Sequence, residues 1–274
     1  MVSVNTNLAA MAAIQNLNRT GSELQQTQSA ISTGKKIANV RDNGAVWVIA
    51  NKMSTYVQSY SRVRESNDRA TAILDTAIAA GEGIMELLNE MKAKALAATQ
   101  TGLSAGSQAA LTADFNQLRD QITTVVANAS FDGTNMVGAT PDSAIGLGDS
   151  SGGNGITIAG ANLSLGGPVV SVATGTSVDT AANASTALGL VNASITALGT
   201  QLATWGAGAK RLEVHRQFVG KLQDALNTGI GSLVDADLSA ESAKLQSLQV
   251  KKQLGIQALS IANSTTQYAL GLFR

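Results

Sequence analysis

Apolar side chains recur at steps of three, four and seven along most of this chain, the spacing that gathers them on one side of an α-helix. Near the start the series is Val4, Leu8, Met11 and Ile14, continued by Leu17, Leu24 and Ile31. Gly34 and Gly44 then bracket Lys35-Lys36-Ile37-Ala38-Asn39-Val40-Arg41-Asp42-Asn43, whose Asn, Asp and flanking Gly predict a break. A second helix is predicted from about Val46 to Ala98. Its clearest part is a heptad of small residues, Ala70, Ala77, Ile84, Met91 and Ala98, with the companion series Leu74, Gly81, Leu88 and Ala95. Gly102 and Gly106 mark a turn. A third helix carries Leu111, Phe115, Leu118, Ile122, Val125 and Ala129, and ends near Phe131-Asp132-Gly133.

The middle changes character. Glycines crowd between Gly133 and Gly175, and no Lys or Arg occurs from Asp120 through Ala209. Short alternating runs at Ile156–Ile158, Leu163–Leu165 and Val169–Val172 predict short strands joined by glycine turns, as one or two hairpins outside a helical body. A fourth helix follows, its three/four rhythm running from Leu188 through Val191, Leu198, Trp205, Leu212 and Val219 to Leu233. At ~1.5 Å per residue it is a rod of about 70 Å, with Gly206 and Gly208 as local weak points. The last helix, within Asp235 to Arg274, has two apolar tracks. One runs Val250, Leu254, Ala258, Ile261, and the other Ile256, Leu259, Asn263, Thr266, Leu270, Phe273. A helix that is apolar on more than one side is normally covered on several sides. One N-terminal helix cannot supply that cover, so other molecules must.

Composition supports the helical reading and removes several kinds of chemistry. Aromatics make up 3% of the chain and there are 2 Pro, so the 44% apolar share comes from Ala, Leu, Ile and Val. That mixture suits long, closely packed helices. Nineteen basic residues balance 19 acidic ones, which argues against a nucleic-acid binder. The chain has no cysteine and a single histidine, His215, too little for a zinc site or a histidine-based metalloprotease motif. No phosphate-loop pattern is present. The expectation is a protein with no catalytic residues, cofactor or metal. The start has no basic region followed by an apolar core, so no secretory signal is expected. No stretch reaches the apolar length of a membrane span.

The end segments carry a resemblance. Ser3-Val4-Asn5-Thr6-Asn7, Gln15-Asn16-Leu17-Asn18-Arg19-Thr20 and Ile31-Ser32-Thr33-Gly34-Lys35-Lys36-Ile37 resemble successive N-terminal motifs of bacterial flagellins. So do Asp42-Asn43-Gly44-Ala45, Ile49-Ala50-Asn51-Lys52-Met53 and Phe131-Asp132-Gly133. Asp235-Ala236-Asp237, Glu241 and Leu272-Phe273-Arg274 resemble the family's C-terminal signature. The match covers about residues 3–135 and 185–274. Asn43-Gly44 and Phe273 depart from the enterobacterial pattern and are closer to short alphaproteobacterial flagellins.

The resemblance implies a mainly α fold. It is a long antiparallel helical bundle or coiled coil with paired terminal helices and a small β-hairpin region in the middle. Three domains are expected: residues 1–44 with 235–274 as a terminal-helix inner tube, 45–134 with 185–234 as a helical bundle, and 135–184 as a short, surface-exposed variable region. The implied function is a structural subunit polymerising into the flagellar filament used for swimming, with a hook–filament junction protein as the alternative. The implied polymerisation interface comprises Val4, Leu8, Met11, Ile14, Leu17, Leu254, Ile261, Leu270 and Phe273. Many flagellins carry O-linked sugar, which makes Ser143, Ser150, Ser151, Thr157, Ser164, Ser171, Thr174, Thr176 and Ser177 candidate glycosylation sites.

Implied partners are further copies of itself or other flagellins, the flagellar export apparatus, an export chaperone, the filament cap and hook–filament junction proteins. Neither nucleic acid nor membrane is among them. The implied location is the extracellular filament, reached without a cleaved signal peptide. Several residues have plainer readings. Lys35-Lys36 and Lys251-Lys252 read as solvated pairs before subunit contacts, His215, Trp47 and Trp205 as packing residues, and Arg41-Asp42 as an ion pair fixing the linker. Lys92, Leu96 and Asp114 fall near a segment that an animal innate receptor recognises in some flagellins. Their charged surroundings differ, so weak or no recognition is expected.

Overall fold

The structure is a computed structural model that describes the backbone of residues 7–271 and the side chains of residues 7–264. The order is α1 (Leu8–Thr33), α2 (Gly44–Ala98), α3 (Ala105–Asn128), β1 (Ser143–Gly146), β2 (Ile156–Ala159), α4 (Ala181–Val234) and α5 (Leu238–Gly271). Two compact units result, one from Met1–Val57 with Asp224–Arg274 and one from Gln58–Gln223. The long helices α2 and α4 contribute to both. At ~1.5 Å per residue, α2 (55 residues) and α4 (54 residues) are each about 80 Å long.

Turn and cap residues set these boundaries. Asn7 caps α1, its Oδ1 accepting the Ala10 amide at 3.0 Å, and Gly34 closes it at φ 68°, a conformation that costs glycine nothing. In the following loop the Asp42 carboxylate accepts the amides of Ala38 and Asn39 at 2.9 and 3.1 Å. Asp42 thus staples backbone; it makes no ion pair with Arg41, contrary to the sequence reading, because two amides of its own loop lie closer. Asn43 then caps α2 through the Val46 amide. Asp237 caps α5 by accepting from Ser239 and Ala240. Between α3 and the hairpin, Phe131 and Thr134 exchange both backbone hydrogen bonds at 3.0 Å. Asp132 and Gly133 lie at φ 50° and 78°, as a type I′ turn requires.

The core of the 58–223 unit is the heptad seam read from the sequence. Ala70, Leu74, Ala77, Ile84, Leu88, Met91, Ala95 and Ala98 are all buried. They join Phe115 and Ile122 of α3 in one cluster with Val191, Leu198, Trp205 and Leu212 of α4. Gly81 lies within the α2 seam because a Cβ there would stand 2.8 Å from Leu202 Cδ2. Glycine at 208 has the same reason: a Cβ would stand 2.8, 3.1 and 3.2 Å from three side-chain carbons of Ile158. Gly208 is therefore a close-approach site on an unbroken helix, not a weak point.

Among the described residues there is one hairpin sheet, with β1 antiparallel to β2 and Ala144 opposite Ile158. The run Ile156–Ile158 falls in β2, whereas Leu163–Leu165 and Val169–Val172 form no strand, and β1 was not anticipated. The alternation at 163–172 has a different cause. Leu163, Val170 and Val172 are buried while Asn162, Ser164, Val169 and Ser171 beside them are only partly covered, so alternating burial mimics a strand pattern without a ladder. The expectation of a surface region over 135–184 also needs correction, because Met136, Val137, Ala144, Ile156, Ile158, Leu163, Val170, Val172 and Val178 are buried.

Three polar side chains of the bundle pin this segment. Trp205 donates its indole N–H to Ala159 O at 3.0 Å, Asn67 donates to Leu147 O at 2.9 Å, and Ser194 Oγ accepts the Ser171 amide at 2.9 Å. Such bonds satisfy backbone groups that a ladder would otherwise have to serve. Between the strands, Asp149 accepts from Ser151 Oγ and N, from Gly153 N and from Asn154 Nδ2. These donors, the Ser151 hydroxyl foremost, hold its carboxyl down at about 2.

Candidate assembly interface

In the unit built from the two ends of the chain, α1 and α5 pair antiparallel. Asn7 Nδ2 donates to Ala262 O at 2.8 Å. A Cβ at Gly255 would stand 3.3 Å from Leu17 Cδ1, and the backbones of Lys35 and Asp235 pair in an antiparallel bridge. The paired positions thus run in opposite directions along the two helices. The contact face is a heptad. On α1 the covered or half-covered positions are Ala10, Ala13, Leu17, Thr20, Leu24, Thr27, Ala30 and Ile31. On α5 they are Glu241, Leu245, Leu248, Gly255, Leu259 and Ala262. Steps of three, four and seven, with the adjacent pair Ala30 and Ile31 at one end, describe one stripe of each helix meeting the other. Small residues at the seam, Ala10, Ala13 and Gly255, let the backbones come close.

That stripe leaves large apolar side chains in water. Leu8 is 77% exposed, Leu254 57% and Ile261 67%, and Met11, Ile14, Val250 and Ile256 are likewise exposed. Of the sequence-derived interface residues, Leu8, Met11, Ile14, Leu254 and Ile261 therefore sit on uncovered faces. Leu17 differs: it is half-buried against Gly255 and belongs to the intramolecular seam. Val4 and Phe273 lie outside the described residues, as does the side chain of Leu270. Val48 and Ile49, also exposed, escaped the sequence reading. Their signal was the unbroken apolar run Val46-Trp47-Val48-Ile49-Ala50, which no single helix face can absorb.

Lys36 Nζ donates to Ser232 O at 3.0 Å; Lys251 and Lys252 are exposed. Trp205 is fully buried, Trp47 is half-buried, and His215 packs against Phe218 with ring centroids 6.3 Å apart. Lys92 and Leu96 are exposed, and Asp114 pairs with Lys94 at 2.6 Å. Among the candidate glycosylation residues, Ser151, Thr157 and Thr174 are exposed. Ser143, Ser150, Ser164, Ser171, Thr176 and Ser177 are partly covered. Among the described residues, no helix is long and apolar enough to cross a membrane.

Comparison with known proteins agrees with this arrangement. A family model for the bacterial flagellin N-terminal helical region matches residues 4–140, and one for the C-terminal helical region matches residues 188–273. The flagellin FljO of Caulobacter vibrioides is 47% identical over 99% of this chain and 98% of its own length. A flagellin of Brucella melitensis is 33% identical over the full length of both. The crystal structure of Bacillus cereus flagellin shares the fold with a TM-score of 0.50 at 21% identity, covering 56% of this chain and 88% of that one. With helical ends matched along nearly their whole length, the chain belongs to the bacterial flagellin family, and it is a structural subunit of the flagellar filament.

Proposed function

We propose that the α1/α5 pair is the polymerising element of the subunit. The single observation that supports this is the row of large apolar side chains left uncovered on both helices after they have paired. Each such side chain contributes about 1.5–3 kcal/mol when fully buried, and ordering the terminal segments offsets part of that gain. In the filament, residues 1–44 with 235–274 form the inner tube and 45–134 with 185–234 the bundle around it; 135–184 packs onto that bundle through its buried residues and turns only its exposed side outward. The role is structural, without catalysis. The subunit reaches the extracellular filament through the flagellar export apparatus with its chaperone. It meets the cap and the hook–filament junction proteins at the filament ends. Within the outward part, Thr157 and Thr174 are the best-placed hydroxyls for O-linked sugar, being exposed. Ser151 Oγ is engaged by Asp149. An intact mass of filament-derived subunit equal to that of the bare chain removes the sugar proposal.

The test is a chain carrying Leu8→Asp and Ile261→Asp. A carboxylate on each uncovered face leaves the α1/α5 seam intact but has to be desolvated in the polymer. The expected result is a helical, soluble monomer that neither sediments nor shows filaments by electron microscopy. Filaments at wild-type protein concentration refute the reading.

A further inference from the structure

A second uncovered face lies in the 58–223 unit. Arg211, Val214, Phe218 and Lys221 follow one another at steps of three, four and three, which places them on one side of α4. Val214 is 54% and Phe218 58% exposed. They rim a groove of about 510 Å³ between α4 and the loop residues Gly148 and Asn154. In the same groove His215 Nε2 is buried with no hydrogen-bond partner. Lys210 and Arg216 nearby are neutralised by Glu213 and Asp68, whereas Arg211 and Lys221 make no ion pair among the described residues. The face is therefore an apolar centre with an unpaired cation at each end.

Its complement is on the same unit. Asp75, Glu82, Glu86 and Glu90 line one exposed side of α2 at steps of seven, four and four. None of the four makes an ion pair among the described residues. Between them the surface is Ala79 and Gly83, and a Cβ at Gly83 would meet nothing within 4 Å. The floor is thus shallow enough to receive an aromatic ring. Arg211 to Lys221 spans about 15 Å and Asp75 to Glu90 about 22 Å along their helices, so both cations can find carboxylates while Phe218 sits over the small residues.

Within one copy the two faces do not meet. Arg216 is ion-paired to Asp68 at 3.0 Å, and Gly81 faces Leu202. The cationic face therefore lies beside α2 upstream of the acidic stripe, offset from it by about 20 Å along the helices. We propose that the Arg211–Lys221 face of α4 docks onto the Asp75–Glu90 face of α2 in a second copy of this chain. The inference rests on the reading of the chain as a filament subunit and deepens it. The docked copy supplies a carboxylate for Arg211 and one for Lys221. Because the two surfaces differ, the contact is heterologous and repeats without closing on itself, as an open helical polymer needs.

The experiment is a charge swap in the full-length protein, read as the critical concentration for polymerisation, with far-UV circular dichroism of each monomer. Arg211→Glu with Lys221→Glu raises the critical concentration about tenfold, and Glu82→Lys with Glu86→Lys does the same. All four changes in one chain restore it toward wild type. The proposal is overturned if either reversal leaves the critical concentration unchanged, or if the combined chain polymerises worse than both pairs. Should a reversal unfold the monomer, the wild-type chain serves: raising salt from about 50 mM to about 500 mM increases its critical concentration, and a flat response overturns the contact. Silent reversals in a chain that still forms filaments sink this contact alone. A wild-type chain that forms none sinks the filament reading with it.

Discussion

Gly206 and Gly208 are two residues apart in α4, and alanine should act oppositely at them. Helix propensity favours Ala over Gly by about 0.8–1 kcal/mol in a helix interior, and that gain is common to both sites. At Gly206 a Cβ would meet nothing within 4 Å, so the gain stands alone. At Gly208 the new carbon would press on Cδ1, Cγ1 and Cγ2 of Ile158 at 2.8, 3.1 and 3.2 Å. Ile158, a residue of β2, is itself buried and branched at Cβ, so it has few rotamers to retreat into. Overpacking of this kind costs about 1–3 kcal/mol, leaving a net loss of up to about 2 kcal/mol. For a cooperative unit of this size 1 kcal/mol moves the melting temperature by about 2–4 °C. Gly206→Ala should raise the melting temperature of the monomer by that amount, and Gly208→Ala should lower it by up to about 8 °C. Both are read by circular dichroism at 222 nm. Equal shifts of the same sign at the two sites would show that the hairpin does not rest on α4 as described.

Further predictions concern the pins and the seam. Trp205→Phe removes the donor to Ala159 O and leaves space where a fully buried indole was packed. It should destabilise the monomer by about 2–3 kcal/mol, measured by urea unfolding followed through the remaining Trp47; a loss under about 0.5 kcal/mol contradicts the assignment. Thr27 Oγ1 is buried in the α1/α5 unit without a partner, so Thr27→Val should stabilise the helix pair by about 1 kcal/mol. Faster amide exchange along α1 in that variant would refute this. Asp149 has a folded-state pKa depressed from 3.8 to about 2. Its contribution is therefore present above the unfolded value and is lost as pH falls through the folded one. The amides of Ser151 and Gly153 should stay protected at pH 3 and lose protection near pH 2. Loss already at pH 4 contradicts the network.

The residues that carry the family likeness turn out to be punctuation. Asn7 and Asn43 cap α1 and α2, Gly34 supplies a left-handed residue, Asp42 staples the linker, Asp132-Gly133 makes a tight turn and Asp237 caps α5. Their chemistry is local, so it was legible without a fold. The heptads were legible for a similar reason, because a helix imposes its period on its own sequence.

What the sequence determined by itself was therefore the helices, their ends, the small-residue seams and the surplus of apolar faces on α1 and α5. Tertiary structure alone decided which copy of an apolar stripe is spent inside the molecule. Leu17 and Leu24 enter the α1/α5 seam while Leu8, Met11 and Ile14 do not, although all lie in one periodic series. It also decided the middle segment. Short runs there read as strands or surface, yet their backbone groups are taken up by Trp205, Asn67 and Ser194, side chains far away in sequence. Pairings across such separations leave no local period, and only the folded chain brings their two halves together.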